Sequence, residues 1–212
     1  MKLYTTLINY AFNFVIQTSK QFNIDDSHSL RHSIEVFQFA NKIYNHEVVN
    51  NPILINQKNI IMCSAIIHDM CDKKYMNEED GIKNINNYFK DFFNKEELDV
   101  VNNIISTMSY STVKQKGYPD LKNYNLAYHI VRESDLLAAY DVERCIIFQM
   151  IHNTTDYQNS LDYVKKLFNN RVLKYINDDL FITNCAQYIA KDLHEKSLLK
   201  LEEINCLEFS LF

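Results

Sequence analysis

Apolar residues recur along most of this chain at helical spacing, separated by short polar stretches. Leu3, Leu7, Ala11, Phe14 and Val15 share one face of a first helix, residues 3–22. Asp25, Asp26 and Ser27 form a cap-type cluster before a second helix, which contains His32 and runs to about Tyr44. Asn50-Asn51-Pro52 breaks the pattern, and Pro52 precedes a strongly apolar helix through Ile60 to Met70. Asn77 caps a further short helix whose acids Glu78, Glu79 and Asp80 suit a first turn. Gly81 lies near that start, where a glycine costs little. Lys95-Glu96-Glu97-Leu98 opens a helix ending near Met108. Residues 109–123 are polar, contain Gly117 and Pro119, and read as the longest loop. A helix over residues 125–141 follows, and residues 142–153 either continue it or begin another. The last part of the pattern gives helices over residues 161–176, 182–194 and 198–206.

Composition sharpens this to an all-α fold. With only 2 Gly and 2 Pro in 212 residues, the chain has few turn formers and few helix breakers. Its 47% apolar content supplies a substantial core, and neither a repeat nor a linker divides it, so a single domain over residues 1–212 is expected. A net charge of −5 weighs against a partner as basic-seeking as extended nucleic acid. The local basic residues are Lys73, Lys74, Lys114 and Lys116. No apolar run approaches the ~20 residues that span a bilayer. Asn9 and Asn13 interrupt the first apolar segment, which argues against a signal peptide. The five cysteines, Cys63, Cys71, Cys145, Cys185 and Cys206, are odd in number and scattered. They read as free thiols in a reducing compartment, the cytoplasm.

The candidate chemistry starts at His68-Asp69, which lies inside the apolar run Ile66-Ile67-His68-Asp69-Met70. Burying an imidazole beside a carboxylate is costly unless each has a partner, and a divalent cation satisfies both. Two other apolar helical stretches carry a His or an Asp on their inward side. One runs from Ser27-His28-Ser29-Leu30-Arg31-His32 to Ala40, the other from Ile130 through Glu133-Ser134-Asp135 to Ala139.

This order, His then His-Asp then Asp on separate helices, resembles the HD-domain metal-dependent phosphohydrolase superfamily over roughly residues 20–175. The resemblance implies an HD-domain helical bundle, with residues 176–212 as a helical extension packed on it. It implies His32, His68, Asp69 and Asp135 as ligands of one divalent ion. Two imidazoles and two carboxylates suit Mn, Fe(II), Co, Ni or Zn better than Mg. His68-Asp69-Met70-Cys71-Asp72-Lys73-Lys74-Tyr75 is similar to the His-Asp-x-x-Asp-x-Lys-aromatic segment of small HD proteins that act on nucleotides. Ile104 to Ser111, followed by Gly117-Tyr118-Pro119, is similar to a helix end and loop of the same proteins. Related HD proteins occur in large DNA viruses, which would place the chain in a host cytoplasm. Glu35, where an Arg is common, and Leu136 and Ala138, where polar residues are common, depart from the pattern.

The implied activity is metal-dependent hydrolysis of a nucleotide, with a (d)NTP converted to (d)NMP and pyrophosphate as the leading expectation. Asp72 is the expected base or orienting group for water, against the plainer reading of an acid paired with Lys. Lys74 is expected to offset phosphate charge, against that of one more surface Lys. Lys73, Ser109, Tyr110 and Lys114 are expected to contact substrate, with the outer phosphates toward Lys74 and the 109–123 loop. A 5′-monophosphatase is the first alternative. A (p)ppGpp-type pyrophosphohydrolase is disfavoured because Cys71-Asp72 stands where a Glu-Asp pair is needed. A non-catalytic nucleotide-binding fold is the rival from another class. His28 reads as a cap at the start of its helix or as a partner of the ligands. Arg132 and Glu133 read as pairing with each other or with a helix end. His46, His129, His152 and His194 read as surface or satisfied core residues, and Tyr10, Phe12, Phe14 and Phe37 as core.

Overall fold

The computed structural model describes residues 2–25 and 28–209, with side chains for residues 4–25 and 28–204. Asp26 and Ser27 of the expected cap cluster, and the Cys206 side chain, lie outside the described residues. The fold is all-α: ten helices and no strand among the described residues. They are α1 (Lys2–Phe22), α2 (Leu30–Glu47), α3 (Leu54–Ile67), α4 (Glu78–Phe89), α5 (Lys95–Thr107), α6 (Tyr110–Lys116), α7 (Asn125–Ala138), α8 (Val142–His152), α9 (Tyr157–Asn170) and α10 (Asn184–Phe209).

Helix α3 is the centre of the bundle. Every residue from Ile60 to Ile67 is buried, so this helix is apolar on all sides and must be enclosed by others. α2 and α7 pack against it and against each other, α1 and α5 cover its remaining faces, α8 pairs with α9, and α10 lies across α2, α7 and α8. The α1–α4 seam is aromatic. Tyr10 and Tyr88 rings sit 4.2 Å apart and Phe14 lies 5.4 Å from Phe89. Phe12 meets Phe37 edge-on at 5.6 Å. These aromatics are packing residues, as their helical spacing implies.

Caps fix several boundaries. Asn77 accepts from the Asp80 backbone N–H at the start of α4, and Asn94 with Glu97 forms a capping box on α5. Asp141 accepts from the Arg144 N–H, so α8 is a separate helix and not a continuation of α7. α9 begins earlier than its apolar pattern, because Asp156 caps it, and ends at Asn170 ahead of a 3₁₀ turn at Val172–Lys174. α10 is one helix of 26 residues where two were expected, since no Gly or Pro stands between His194 and Leu198 to break it.

Two departures bear on the site. α3 stops at Ile67, short of the expected Met70, and successive turns carry the chain through His68 to Met76. Asp72 Oδ1 accepts from the Lys74 N–H at 2.8 Å, which offers the backbone a partner other than the helix. The expected 109–123 loop holds α6 in its first half. Ser109 caps α6 by accepting from the Thr112 N–H, and Gly117 at φ +75° ends it, a conformation that favours glycine.

Candidate metal centre

Three helices bring four candidate ligand side chains together. His32 lies on the inward face of α2, 2% exposed. His68 and Asp69 stand at the exit of α3, and Asp135 lies in the last turn of α7. His32 Nε2 is 3.1 Å from His68 Nε2, 3.5 Å from Asp69 Oδ2 and 3.2 Å from Asp135 Oδ1. His68 Nε2 is 3.3 Å from Asp69 Oδ2 and 3.6 Å from Asp135 Oδ1. The group whose ligand atoms all lie within 4.8 Å of one another is His32, His68 and Asp135, and Asp69 joins it through the two imidazoles.

These spacings fit a cation. An ion with contacts near 2.1 Å puts neighbouring ligand atoms about 3.0–3.5 Å apart. The five spacings that involve an imidazole therefore match the edge lengths of a coordination shell, and two nitrogen and two oxygen donors suit a first-row transition metal. Two further observations favour an ion. Asp69 Oδ2 is buried with no hydrogen-bond partner, which is costly for a carboxylate oxygen. The two Nε2 atoms face each other at 3.1 Å, where at most one carries the intervening proton and a cation serves both lone pairs.

His68 is held in orientation by its far nitrogen. Nδ1 lies 3.0 Å from the Ala65 carbonyl oxygen, an acceptor only, so Nδ1 donates and Nε2 is left for the ion. His32 lacks such an anchor, for its Nδ1 is buried without a partner among the described residues.

Electrostatics agree. Burial and the nearby Arg144 guanidinium push His32 down to about 4, so it is neutral and a competent ligand at neutral pH. Burial alone would lower His68, but the Asp69 and Asp135 carboxylates outweigh it and hold His68 well above the usual histidine range. Burial alone would raise the two carboxyls, yet His68 and His32 hold Asp69 and Asp135 well below the usual range. A divalent cation would compete with protons for this set of donors.

The site opens on the Asp135 side, whose side chain is 31% exposed, while both imidazoles are enclosed. Tyr175 belongs to that side: burial pushes its phenol up to about 12, and the Asp135 charge adds to the effect.

The remaining sequence-derived residues are distributed as follows. Asp72 is partly exposed, with Lys74 Nζ 3.8 Å from its Oδ2. Lys73 is exposed and pairs with Glu78 at 2.9 Å. Ser109 caps α6, its hydroxyl donating to Thr112 Oγ1 at 2.7 Å. The Tyr110 ring meets that of Tyr175 at 5.5 Å, tilted by 44°, with Lys114 Nζ 5.7 Å and the Arg171 guanidinium 4.4 Å from its ring centre. Arg132 and Glu133 make both expected pairings. They lie 3.4 Å apart, and Glu133 accepts from the Ile182 and Thr183 backbone N–H groups just ahead of α10.

The pattern offered His28 as a partner of the ligands and Tyr75 only as the aromatic of its segment, and it missed Arg144. Tyr75 donates to Asp25 Oδ2 at 2.5 Å and lies 3.3 Å from His28 Nδ1, a group that backs His32, whose ring is 6.1 Å from that of His28. The spacing of His28 one turn before His32 was its only sequence signal. Arg144 comes from α8, over a hundred residues after His32, and nothing local marked it.

No protein-family model matches the chain, and no curated protein matches its sequence. Solved structures match in fold. A Lactobacillus plantarum protein determined as a structural-genomics target superposes with a TM-score of 0.67 at 14% identity, over 99% of this chain and 98% of that one. Bacillus subtilis YpgQ superposes with a TM-score of 0.60 at 20% identity, over 94% and 95%. At these identities the likeness is one of fold.

Proposed function

We propose that this chain is an HD-type, divalent-cation-dependent phosphohydrolase that acts on nucleotides, converting a (d)NTP to (d)NMP and pyrophosphate. The observation that carries the reading is the convergence of His32, His68, Asp69 and Asp135 at coordination-shell spacing, with an orphaned buried oxygen on Asp69. Those four residues would hold the ion. When bound, the ion would supply Lewis-acid polarisation of a phosphoryl oxygen and make water more acidic.

The rest is the work of the chain's own residues. Asp72 takes the proton of the attacking water, Lys74 stands beside Asp72 and offsets the charge of the departing phosphates, and Lys73 adds to the same basic edge. The water oxygen bonds to the α-phosphorus, the bond to the α–β bridging oxygen breaks, and pyrophosphate leaves with the electron pair. Ser109, Tyr110 and Lys114 meet the substrate from α6.

The test is product identity by phosphorus NMR, using full-length protein, Mn²⁺ and separate (d)NTPs, dNMPs and (p)ppGpp. Pyrophosphate and a nucleoside monophosphate are expected. Inorganic phosphate from monophosphates, with triphosphates untouched, would move the assignment to a 5′-nucleotidase. No turnover of any nucleotide with Mn²⁺, Co²⁺, Ni²⁺, Zn²⁺ or Fe²⁺ would overturn the enzymatic reading.

A further inference from the structure

Beside the metal centre, α6 and α7 enclose a cavity of about 290 Å³ with the segment that follows α9. Its apolar walls include Met108, Val113 and Leu136, and its aromatic walls are Tyr110 and Tyr118. Leu136, which lines the cavity, directly follows Asp135 in α7. Tyr110 is tied to the same side through its tilted ring contact with Tyr175.

Small-molecule pockets run from about 300 to 1,000 Å³, so this one suits part of a nucleotide and not a whole triphosphate. Its chemistry selects which part. The Arg132 guanidinium lies 4.8 Å over the Tyr118 ring, but its charge is engaged by the Leu180 carbonyl and by Glu133. Asp178 adds a carboxylate to the lining. Of the lining residues Lys114 supplies the remaining cation, exposed and 5.7 Å from the Tyr110 ring, which the Arg171 guanidinium, shared with the Tyr175 hydroxyl, also covers. A polyphosphate inside would lose its water without enough counter-charge. A flat ring with polar edges would instead meet two aromatic rings, each backed by a guanidinium, within mainly apolar walls.

We infer that this cavity receives the nucleoside end of the substrate, with its base between Tyr110 and Tyr118 and its phosphates outside, toward Asp135. The inference rests on the nucleotide reading above. It gives Tyr110 and Lys114 to the nucleoside and leaves the outer phosphates to the Lys74 edge alone.

The experiment is a titration of full-length protein carrying ¹³C-methyl methionine with deoxyadenosine and thymidine, in the presence of a chelator. The Met108 methyl resonance is expected to shift, and that of Met62, enclosed in α3, to stay. Val113→Trp fills the cavity and should weaken binding about tenfold or more. Tyr118→Leu, at a residue 42% exposed and so safe for folding, should do the same by removing one stacking face. A Met108 resonance that ignores millimolar nucleoside, or equal binding by either folded variant, overturns the inference. The two proposals fail separately. Nucleoside binding without turnover of any nucleotide ends the enzymatic reading and keeps the cavity. Triphosphate turnover with KM unmoved in both variants ends the cavity and keeps the enzyme.

Discussion

Asp69 and Asp72 are three residues apart on one turn-rich segment, yet their surroundings differ, and the proposed roles differ with them. Asp69 is nearly enclosed and aims an unpartnered oxygen at two imidazole nitrogens. Asp72 is more open and spends one oxygen on the Lys74 backbone N–H. Asparagine can still accept that hydrogen bond, so Asp72→Asn removes charge and basicity without undoing the turn. We expect Asp69→Ala to lose both the metal and turnover. Asp72→Asn should retain the metal and lose about 10²–10⁴-fold in rate, the usual worth of a positioned proton acceptor. Elemental analysis and Mn²⁺-dependent turnover of the two folded variants check this, and loss of metal in Asp72→Asn would merge the two roles. At this scale the clustering of His32, His68 and Asp135 was legible because a His or Asp inside an apolar run is costly without a partner. Arg144 and Asp25 were not, because each lies in a polar context and reaches the site only through the fold.

Elements were legible where a periodic face and a cap agreed, as at Asn77 for α4. They were misread where a side chain competed with the helix, as Asp72 does after α3, or where polar composition hid a cap and a stop, as Ser109 and Gly117 do around α6. Gly81 shows what sequence alone undervalued. A Cβ there would come within 2.7 Å of Cys71 Cβ and 2.9 Å of Cys71 Cα, so the first turn of α4 rests directly on the backbone between Asp69 and Asp72. Alanine would gain about 1 kcal/mol of helix propensity. It would also force apart two backbones, at about 1–3 kcal/mol for overpacking. We expect Gly81→Ala to be destabilised by roughly 1 kcal/mol in urea unfolding, with weaker Mn²⁺ binding because the Asp69 segment moves. Unchanged stability and unchanged metal affinity would show that α4 does not set the position of that segment.

Across the whole molecule, the four candidate ligands belong to α2, to the exit of α3 and to α7, the three helices that pack mutually at the centre of the bundle. Low Gly and Pro content and helical periodicity made the all-α class readable, but not the approach of segments a hundred residues apart, which side-chain packing decides. An ion held at that junction ties together helices that unfolding separates, so it binds the folded chain and not the unfolded one. At a free metal concentration 100 times its dissociation constant, binding adds about 2.7 kcal/mol. For a chain of 150–250 residues each kcal/mol moves the melting temperature by about 2–4 °C. Removing the metal with a chelator should therefore lower Tm by about 5–10 °C. Readdition of Mn²⁺ or Zn²⁺ should restore it, with the gain growing with the logarithm of ion concentration. Asp69→Ala, measured by the same calorimetry, should show little of this response, which separates binding at this centre from nonspecific ion effects. A wild-type Tm indifferent to chelation and to added transition metal would mean that the cluster is a proton-sharing polar core and not a metal centre.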